Sequence, residues 1–491
     1  MLGAFIAIGL LQFVTMLLQL VRTKALALAL GPELVGIMAV IDRLTAVLSQ
    51  TASLSIPFAA LRFLPERWTE SPTAFALLYR RMAWLLAGLS AVAMVLTLGV
   101  TVVRSEVWGA QLLPYRTAVM AASLTMPVLV LVPFLRNAVA GRLQENRSMF
   151  VALAHAAVAA LAVAAVWWHG LVGYYTCYAV LGLVLVIVVG KTVGRVPGPR
   201  QAIAPPSGWF GLPRQVWRFS GALLVVAFFS PYAALLVHYG VLREHGAVTA
   251  GWMQAPVGIG LAVRTLLGTA HAVFLTPNVN RGGDPADRMA WANRYQETFC
   301  LLAVTVLPPL LLFPQLAVRL LYSSAFGPGA TYVVLFVLVE IVTLLAGTYG
   351  ALVVALDHLG FHVVQNVLAQ LLVSGLAAWL IRPFGILGAG LALLSAPMLL
   401  YLGTTSFLRW RHRLQVTRRA TNLGALLTVT LVVTGLFGAR AAPFSPASIG
   451  LKLALYGVVI AVVLVMLTAE ERSKLWNGVW ALRGRLTPTR S

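Results

Sequence analysis

Long apolar stretches separated by short polar segments run through almost the whole chain. A helix that crosses a bilayer needs about 20 consecutive, mainly apolar residues, and stretches of about this length recur fourteen times. The pattern predicts an all-α polytopic membrane protein with about fourteen transmembrane helices. The predicted spans cover residues 4–21, 34–61, 82–103, 117–135, 149–167, 171–190, 219–241, 247–276, 299–318, 331–354, 363–381, 384–408, 422–439 and 450–468.

A short glycine pattern occurs twice at a constant separation. Residues 169–173, His-Gly-Leu-Val-Gly, return 215 positions later as residues 384–388, Phe-Gly-Ile-Leu-Gly, and the same separation carries Gly36 onto Gly251. Two matches at one separation indicate an internal duplication. Duplicated bundles that move about a site near the bilayer midplane are typical of secondary transporters. We therefore expect the chain to move a molecule across a membrane.

The duplication divides the chain into four parts. Residues 1–190 form the first repeat and residues 219–408 the second, with six predicted spans in each. Because six is even, both repeats have the same orientation and are related by a twofold axis along the membrane normal. Residues 191–218, basic and rich in proline, are the predicted cytoplasmic linker. Residues 409–491 hold spans thirteen and fourteen, an accessory pair outside the duplication, and a basic cytoplasmic tail.

Composition and charge support the membrane assignment and set its orientation. Hydrophobic residues make up 60% of the chain, and a mean hydropathy of +0.89 excludes an ordinary soluble protein. The 36 Lys and Arg outnumber the 14 Asp and Glu, but they are spread between the spans, which favours membrane orientation over a nucleic-acid partner. With the N-terminus inside, 25 of them fall on inner segments and nine on outer ones. Both termini are therefore predicted to be cytoplasmic.

The chain offers no pattern for a metal or an organic cofactor. Its two cysteines, Cys177 and Cys300, both fall within predicted spans and have no ligand spacing. We therefore expect neither a disulfide framework nor a metal site, and no catalytic residue is assigned.

Three stretches carry a family resemblance. Residues 30–36, Leu-Gly-Pro-Glu-Leu-Val-Gly, resemble the LGxxxxG entry to the second span of Wzx-type polysaccharide flippases. Residues 321–330, Leu-Tyr-Ser-Ser-Ala-Phe-Gly-Pro-Gly-Ala, are similar to the turn before their tenth span. Gly360, Asn366 and residues 384–390 resemble their eleventh–twelfth hairpin. Over about residues 5–410 the chain thus resembles flippases of the multidrug/oligosaccharidyl-lipid/polysaccharide (MOP) exporter superfamily.

The resemblance implies a fold and a function. It implies two six-helix bundles arranged as an inverted V around a central cavity. It further implies a flippase of the bacterial inner membrane, not an enzyme. Such a protein carries undecaprenyl-diphosphate-linked oligosaccharide from the cytoplasmic to the periplasmic leaflet by alternating access, for surface polysaccharide biosynthesis. The expected partners are this lipid-linked glycan, membrane lipids, and polysaccharide polymerase or export machinery.

Two arginines inside predicted spans are the first candidates for substrate binding. Arg43 lies in span two and Arg264 in span eight, equivalent helices of the two repeats. Charges within the membrane are costly and usually functional, and a forked guanidinium suits the oxygens of a diphosphate. The alternative is structural, with Arg43 paired to Asp42 or Glu340 and Arg264 extended toward the membrane surface.

Four further charged residues are candidates with two open interpretations. Arg22 and Lys24, at the outer end of span one, oppose the positive-inside tendency and are candidates for holding phosphate at the outer mouth. The alternative is a solvated helix end against lipid phosphates. Asp42 and Glu340 are the only carboxylates inside predicted spans. They are interpreted either as ion-coupling groups or as charge balance for a nearby arginine.

Uncharged polar residues complete the candidate set. Gln50, Gln254 and Asn366 are candidate sugar contacts, although hydrogen bonding between helices is the commoner role of such residues. Arg136, at the inner end of span four, is interpreted as a determinant of orientation, with substrate contact as the alternative. His271 is interpreted as a packed neutral histidine, because no ligand spacing surrounds it.

Three other functions are weighed against an oligosaccharide flippase. A lipid II flippase also fits fourteen spans, but span two lacks that group's Arg-Ile-Pro-Asn-Phe-Phe-Arg-type stretch. A multidrug cation antiporter of the MATE type would need an acidic cavity, and the first span contains no carboxylate. A membrane glycosyltransferase or polymerase would need a large extramembrane region, and no outer loop exceeds about fifteen residues. The sequence does not identify the glycan or a coupling ion.

Overall fold

A computed structural model describes residues 2–142, 145–194, 211–271, 284–440 and 445–468, together with Leu275 and Val279. All regular structure within these residues is helical, which confirms the predicted all-α class. The α-helices are α1 (Leu2–Ser53), α2 (Ile56–Glu70), α3 (Pro72–Val103), α4 (Arg116–Ser123), α5 (Met126–Ala140), α6 (Glu145–Leu161), α7 (Val166–Gly194), α8 (Arg214–Ala270), α9 (Pro285–Leu312), α10 (Pro314–Leu321), α11 (Val333–Ala355), α12 (Leu359–His412), α13 (Arg418–Arg440) and α14 (Pro446–Met466). Short 3-10 helices cover Ser105–Trp108, Leu113–Tyr115, Ala162–Ala165 and Ser324–Tyr332. Most of the predicted linker (195–210) and almost all of the predicted tail (469–491) lie outside the described residues.

Ten helical segments of the described chain are long and apolar enough to cross a bilayer. Four of them contain 43, 48, 55 and 54 residues, about twice what one crossing requires. Each of these four has a break in the helical conformation that contains one glycine with positive φ, namely Gly31, Gly170, Gly246 and Gly385. Dividing the four segments at these glycines turns ten segments into fourteen. The number of bilayer crossings itself stays a prediction.

The four glycine breaks reproduce the duplication. Gly31 (φ 69°, ψ 177°) and Gly246 (φ 83°, ψ 171°) lie 215 positions apart and share one conformation. Gly170 (φ 55°, ψ −138°) and Gly385 (φ 55°, ψ −124°) lie at the same separation and share another. Both conformations are strongly disfavoured for residues with a Cβ. The separation found in the sequence therefore recurs in the backbone.

The hairpins around the second pair of breaks are built alike. A Cβ added to Gly173 would overlap the backbone carbonyl of Ala165, and a Cβ added to Gly388 would overlap that of Leu380. These two contacts are again 215 positions apart. In both repeats the helix after the break therefore lies directly against the backbone before it, which a larger residue would prevent.

Two predicted spans each contain a break in the helix. The predicted span 34–61 ends as a helix at Ser53, where two residues with positive φ separate α1 from α2. The predicted span 117–135 is divided into α4 and α5. Pro57 and Pro127 lie in the first turns of α2 and α5, where a missing N–H costs no hydrogen bond. Hydropathy alone does not register these breaks, because both lie within apolar stretches.

The accessory helices α13 and α14 pack on the second repeat. Gly438 of α13 lies against the backbone of Leu311 in α9, so closely that a Cβ would overlap it. The hydroxyl of Tyr456 in α14 donates a hydrogen bond to the carbonyl of Thr305 in α9, at 3.1 Å. The pair therefore thickens one outer wall of the second repeat, away from the cavity described next.

Candidate substrate cavity

A cavity of about 880 Å³ is lined by residues of both repeats. Gln12 of α1, Arg136 of α5 and Met149 of α6 form the wall from the first repeat. Helices α8, α11 and α12 form the larger wall from the second repeat, with Arg264 and Asn366 among its polar residues. Small-molecule sites commonly have volumes of about 300–1,000 Å³. The cavity is therefore large enough for a polar head group of several rings.

Helical periodicity explains which residues line the cavity. On α8 the lining positions are 261, 264, 265, 268 and 271, which lie on one helix face. On α11 they are 343, 344, 346, 347, 350, 351 and 354, again one face. Gly347 and Gly350 place no side chain on that face. An added Cβ would come 3.6 Å from the His271 ring and 3.7 Å from the His362 ring. Small residues on α11 thus preserve the space between the helices.

The cavity occupies the predicted cytoplasmic halves of its helices, and the outer halves are closed. Gly36 of the first repeat and Gly251 of the second lie against each other's helices. A Cβ on Gly36 would overlap the Ala247 carbonyl, and a Cβ on Gly251 would overlap the Pro32 carbonyl. The repeats therefore meet backbone to backbone on the outer side, through the two glycines that the sequence pattern singled out.

Two polar contacts add to the outer closure. The Lys24 ammonium donates to the Arg319 carbonyl at 2.6 Å, and the Tyr239 hydroxyl donates to the Gln111 side-chain oxygen at 3.2 Å. Each bond joins the first repeat to the second. Lys24 therefore bonds protein backbone at this closure.

Of the predicted arginines, Arg264 lines the cavity. Half of its side chain is exposed, and its Nη1 atom lies 3.4 Å from an oxygen of Glu340 on α11. Arg136, interpreted from sequence as a determinant of orientation, also lines the cavity and is exposed there. The cavity thus receives one cationic side chain from each repeat.

Arg43 is not among the described residues that line this cavity. It interacts electrostatically with two carboxylates, Asp42 beside it in α1 and Glu340 in α11. No ion pair within 4.0 Å joins Arg43 to either carboxylate, so the structural pairing considered from sequence is not formed. Glu340 is ion-paired with Arg264 of the second repeat and also attracts Arg43 of the first, more weakly.

Arg22 and Asp42 meet within the first repeat. The Arg22 guanidinium lies over the Tyr174 ring, 5.4 Å from its centroid, and interacts electrostatically with Asp42. The Tyr175 hydroxyl donates to Asp42 Oδ1 at 2.8 Å. The Tyr178 hydroxyl and the His155 Nε2 atom are 2.5 Å apart in the same region. This cluster is a buried polar network of α1, α6 and α7.

The predicted sugar contacts are separated by the structure. Asn366 lines the cavity, and its side-chain amide is within 3.3 Å of His362 Nε2. The backbone carbonyl of Gln254 accepts a hydrogen bond from Tyr322 at 2.8 Å. Neither Gln254 nor Gln50 is among the described residues that line the cavity.

Sequence reasoning understated several cavity residues. Arg136, His271 and His362 line it, yet Arg136 was assigned to membrane orientation, His271 to packing, and His362 was not discussed. The available signal was spacing, because His271 follows Arg264 by seven residues and therefore shares its helix face. Assigning faces required knowing which faces of α8 and α11 are turned inward.

Comparisons with known proteins support the fold. No family model and no curated protein sequence matches the chain. Among solved structures, the lipid II flippase MurJ in an inward closed conformation superposes with a TM-score of 0.64 at 12% identity, over 93% of this chain and 98% of that one. An inward-facing multidrug resistance MATE transporter of the MOP superfamily gives 0.53 at 12%, over 85% and 96%.

A MOP superfamily transporter from Pyrococcus furiosus, described as having a binding pocket of reverse polarity, is also similar. It gives a TM-score of 0.52 at 14% identity, over 86% of this chain and 96% of that one. Identities this low show a shared fold. The chain therefore has the MOP-type polytopic fold that the sequence motifs predicted.

Proposed function

We propose that the chain is a flippase that carries an undecaprenyl-diphosphate-linked oligosaccharide from the cytoplasmic to the periplasmic leaflet of a bacterial inner membrane. One observation carries the proposal: the cavity lies between the repeats on the predicted cytoplasmic side and receives Arg136 from one repeat and Arg264 from the other. An anionic head group attached to a lipid requires such a cationic, water-accessible space within the bilayer.

The two cavity arginines are assigned to the diphosphate. One guanidinium group can donate two parallel hydrogen bonds to phosphate oxygens, and it stays charged in a partly buried site. Arg264, half exposed, is free to turn into the cavity. Asn366 and Gln12 lie on the same surface and offer amide groups to sugar hydroxyls. The head group thereby contacts both repeats at once, which allows it to bias their relative position.

The other predicted residues are assigned to the later part of the path. Arg43 and Arg22 lie closer to the outer closure than Arg264 does, and Lys24 lies at the outer end itself. We assign them to the head group after the outer halves separate. Gln50 and Gln254 are assigned to sugar contacts in that same state. Coupling of turnover to an ion would act through Asp42, the carboxylate buried in the first repeat.

Lipid II is the second candidate substrate. The observation that favours it is the superposition on MurJ, which extends over 98% of that chain. Both candidates are diphosphate-linked polyprenyl saccharides and would use the same two arginines. They differ in the sugar portion, which is why a turnover assay has to offer both.

The test is turnover in proteoliposomes that contain the purified full chain. Fluorescent undecaprenyl-diphosphate oligosaccharide and fluorescent lipid II are offered in separate experiments, and an organic cation serves as a third substrate. We expect Arg264→Gln and Arg136→Gln each to lower turnover of the preferred lipid about ten- to a hundredfold, since each loses a charged contact of about 1.5–3 kcal/mol. The matched control is Arg67→Gln, because Arg67 forms an exposed ion pair with Glu70 in α2.

Each outcome decides between functions. Turnover of the oligosaccharide lipid alone supports the first proposal, and turnover of lipid II alone supports the second. Export of the organic cation with neither lipid turned over would establish a drug antiporter. If Arg264→Gln, Arg136→Gln and Arg67→Gln all turn over a lipid at the wild-type rate, the protein is a flippase whose diphosphate site lies elsewhere.

A further inference from the structure

Glu340 is a carboxylate shared by two arginines from different repeats. Its side chain is 14% exposed on α11, and one oxygen lies 3.4 Å from Nη1 of Arg264, whose side chain is 50% exposed. It also interacts electrostatically with Arg43 of α1. Arg264 belongs to the second repeat, like Glu340 itself, and Arg43 to the first. The carboxylate is therefore ion-paired on the cavity side, and its second cationic neighbour, Arg43, lies across the boundary between the repeats without forming an ion pair within 4.0 Å.

Helix packing fixes the position of this carboxylate. A Cβ on Gly260 would come 2.9 Å from the Phe336 carbonyl and 3.3 Å from Cγ of Glu340. The glycine thus lets α8 approach α11 at this turn, and Arg264 follows one helical turn later. Glu340 is held between the two helices, while the long Arg264 side chain reaches the cavity. In the Arg264–Glu340 pair, Arg264 is therefore the residue that is free to move.

The Arg264–Glu340 pair is suited to being replaced by a ligand. A pair at 3.4 Å with one half-exposed member is a weak interaction. A diphosphate carries more charge than one carboxylate and accepts paired hydrogen bonds from a guanidinium, so it competes well for Arg264. Once Arg264 turns to the ligand, Glu340 keeps Arg43 as its cationic neighbour. The carboxylate of Glu340 then attracts Arg43 alone, across the boundary between the repeats.

We propose that Glu340 is a positioning residue that exchanges partners during transport. In the empty cavity it holds Arg264, and when an anionic head group takes Arg264 it turns to Arg43 and draws the two repeats together at that level. This inference rests on the proposed function and adds to it how binding is coupled to movement. A ligand shifts a conformational equilibrium only through a difference in interaction between the two states. The released carboxylate supplies such a difference.

The test compares binding with turnover in Glu340→Gln, which removes the charge and keeps the shape. Binding of undecaprenyl diphosphate to the purified chain in detergent is measured by thermophoresis, and turnover of the lipid preferred by the wild type is measured in proteoliposomes. We expect binding to tighten about two- to fivefold, because the competitor for Arg264 is gone. We expect turnover to fall about five- to tenfold, because the link to Arg43 is lost.

Three further variants separate this role from a merely structural one. Glu340→Asp keeps the charge and is expected to retain turnover near the wild-type rate. Glu70→Gln removes the exposed carboxylate paired with Arg67 and is expected to change neither quantity. In an Arg264→Gln background, Glu340→Gln is expected to leave binding unchanged, since no pair remains to compete with the ligand.

The outcomes distinguish failure of this inference from failure of the proposed function. If the wild type turns over a lipid but Glu340→Gln matches it in both binding and turnover, partner exchange is wrong and the flippase stands. The same conclusion follows if Glu340→Gln tightens binding equally without Arg264. If Glu340→Asp and Glu340→Gln lose turnover alike while binding stays at the wild-type value, Glu340 is structural. If the wild type neither binds the diphosphate nor turns over a lipid, both proposals fail.

Discussion

At the scale of single residues, the buried cluster around Asp42 shows how charges are kept inside an apolar bundle. Asp42 receives a hydrogen bond from Tyr175 and faces Arg22, which in turn lies over Tyr174. A buried charge that loses its partner is far more costly than a pair removed together. The stability of the first repeat should therefore depend on this cluster as a unit.

Stability of the cluster is tested by substitutions that keep shape. Tyr175→Phe should lower the free energy of unfolding by about 1–2 kcal/mol, because a carboxylate loses a hydrogen bond. Asp42→Asn should cost more, about 3 kcal/mol, because Arg22 then lacks its countercharge. Both are measured by thermal unfolding in detergent, with Tyr232→Phe on the exposed surface of α8 as the control.

A double variant provides the decisive comparison for the same cluster. Arg22→Gln combined with Asp42→Asn should destabilise less than the sum of the two single changes, since neither charge is then left unpaired. Strict additivity would show that Arg22 and Asp42 act independently, contrary to the contacts described.

Residue type was a good guide to which side chains are candidates for function. It was a poor guide to where in the structure those side chains lie. Arg264 was identified because a cation within an apolar span is unusual, and it lines the cavity. Arg43 satisfied the same criterion but does not line the cavity. Arg136 was considered for substrate contact but assigned to membrane orientation, because a cation at the inner end of a helix is explained equally well by that role. Charge and hydropathy do not state which helix face is turned inward.

At the scale of elements, glycine controls where long helices change direction. Gly31 and Gly246 adopt positive φ with extended ψ, and no atom lies within 4 Å of an added Cβ at either position. The need for glycine at these two positions is therefore a matter of backbone conformation alone. At Gly36 and Gly251 the need is different, because another helix occupies the space.

Alanine substitutions separate these two causes. Gly31→Ala and Gly246→Ala should each destabilise the protein by about 1–3 kcal/mol, because a Cβ disfavours this conformation. Gly99→Ala is the matched control, since Gly99 lies within α3 and also has no atom within 4 Å of an added Cβ. There alanine should be neutral or stabilising by up to about 1 kcal/mol. Equal melting temperatures for all three variants would contradict the argument.

Helix ends could be predicted from the sequence where the hydropathy changes along the chain. They could not be predicted where the chain stays apolar. The repeat separation of 215 residues, found from a few glycines, matches both pairs of backbone breaks. The end of α1 at Ser53 was missed, because the residues that follow remain apolar. A break within an apolar stretch depends on local backbone conformation and on tertiary contacts, and neither alters the hydropathy.

At the scale of the whole molecule, the two repeats are closed on one side and apart on the other. Gly36 and Gly251 bring the outer halves into backbone contact, while about 880 Å³ remains between the inner halves. Alternating access requires this relation to reverse during each cycle. The outer contacts must therefore separate, although they include close helix packing and the bond from Lys24 to Arg319.

A reversible cross-link across the outer closure tests this requirement. Lys24→Cys and Arg319→Cys are introduced together, with Cys177 and Cys300 replaced by alanine, and the new thiols are joined by a short bis-methanethiosulfonate reagent. Since Lys24 Nζ contacts the Arg319 carbonyl at 2.6 Å, a short reagent has a feasible span. Turnover should stop on cross-linking and return on reduction, because the outer halves are held together and then released.

The control cross-link lies within one helix. Arg67→Cys with Glu70→Cys places both thiols on α2, one turn apart, where the native side chains already form an ion pair at 2.5 Å. Joining them should leave turnover unchanged, because both thiols move as one body. If turnover persists with the Lys24 and Arg319 positions joined, the outer halves do not need to separate there. Transport would then have to use a path beside the closure, and the assignment of Lys24, Arg22 and Arg43 to that path would be withdrawn.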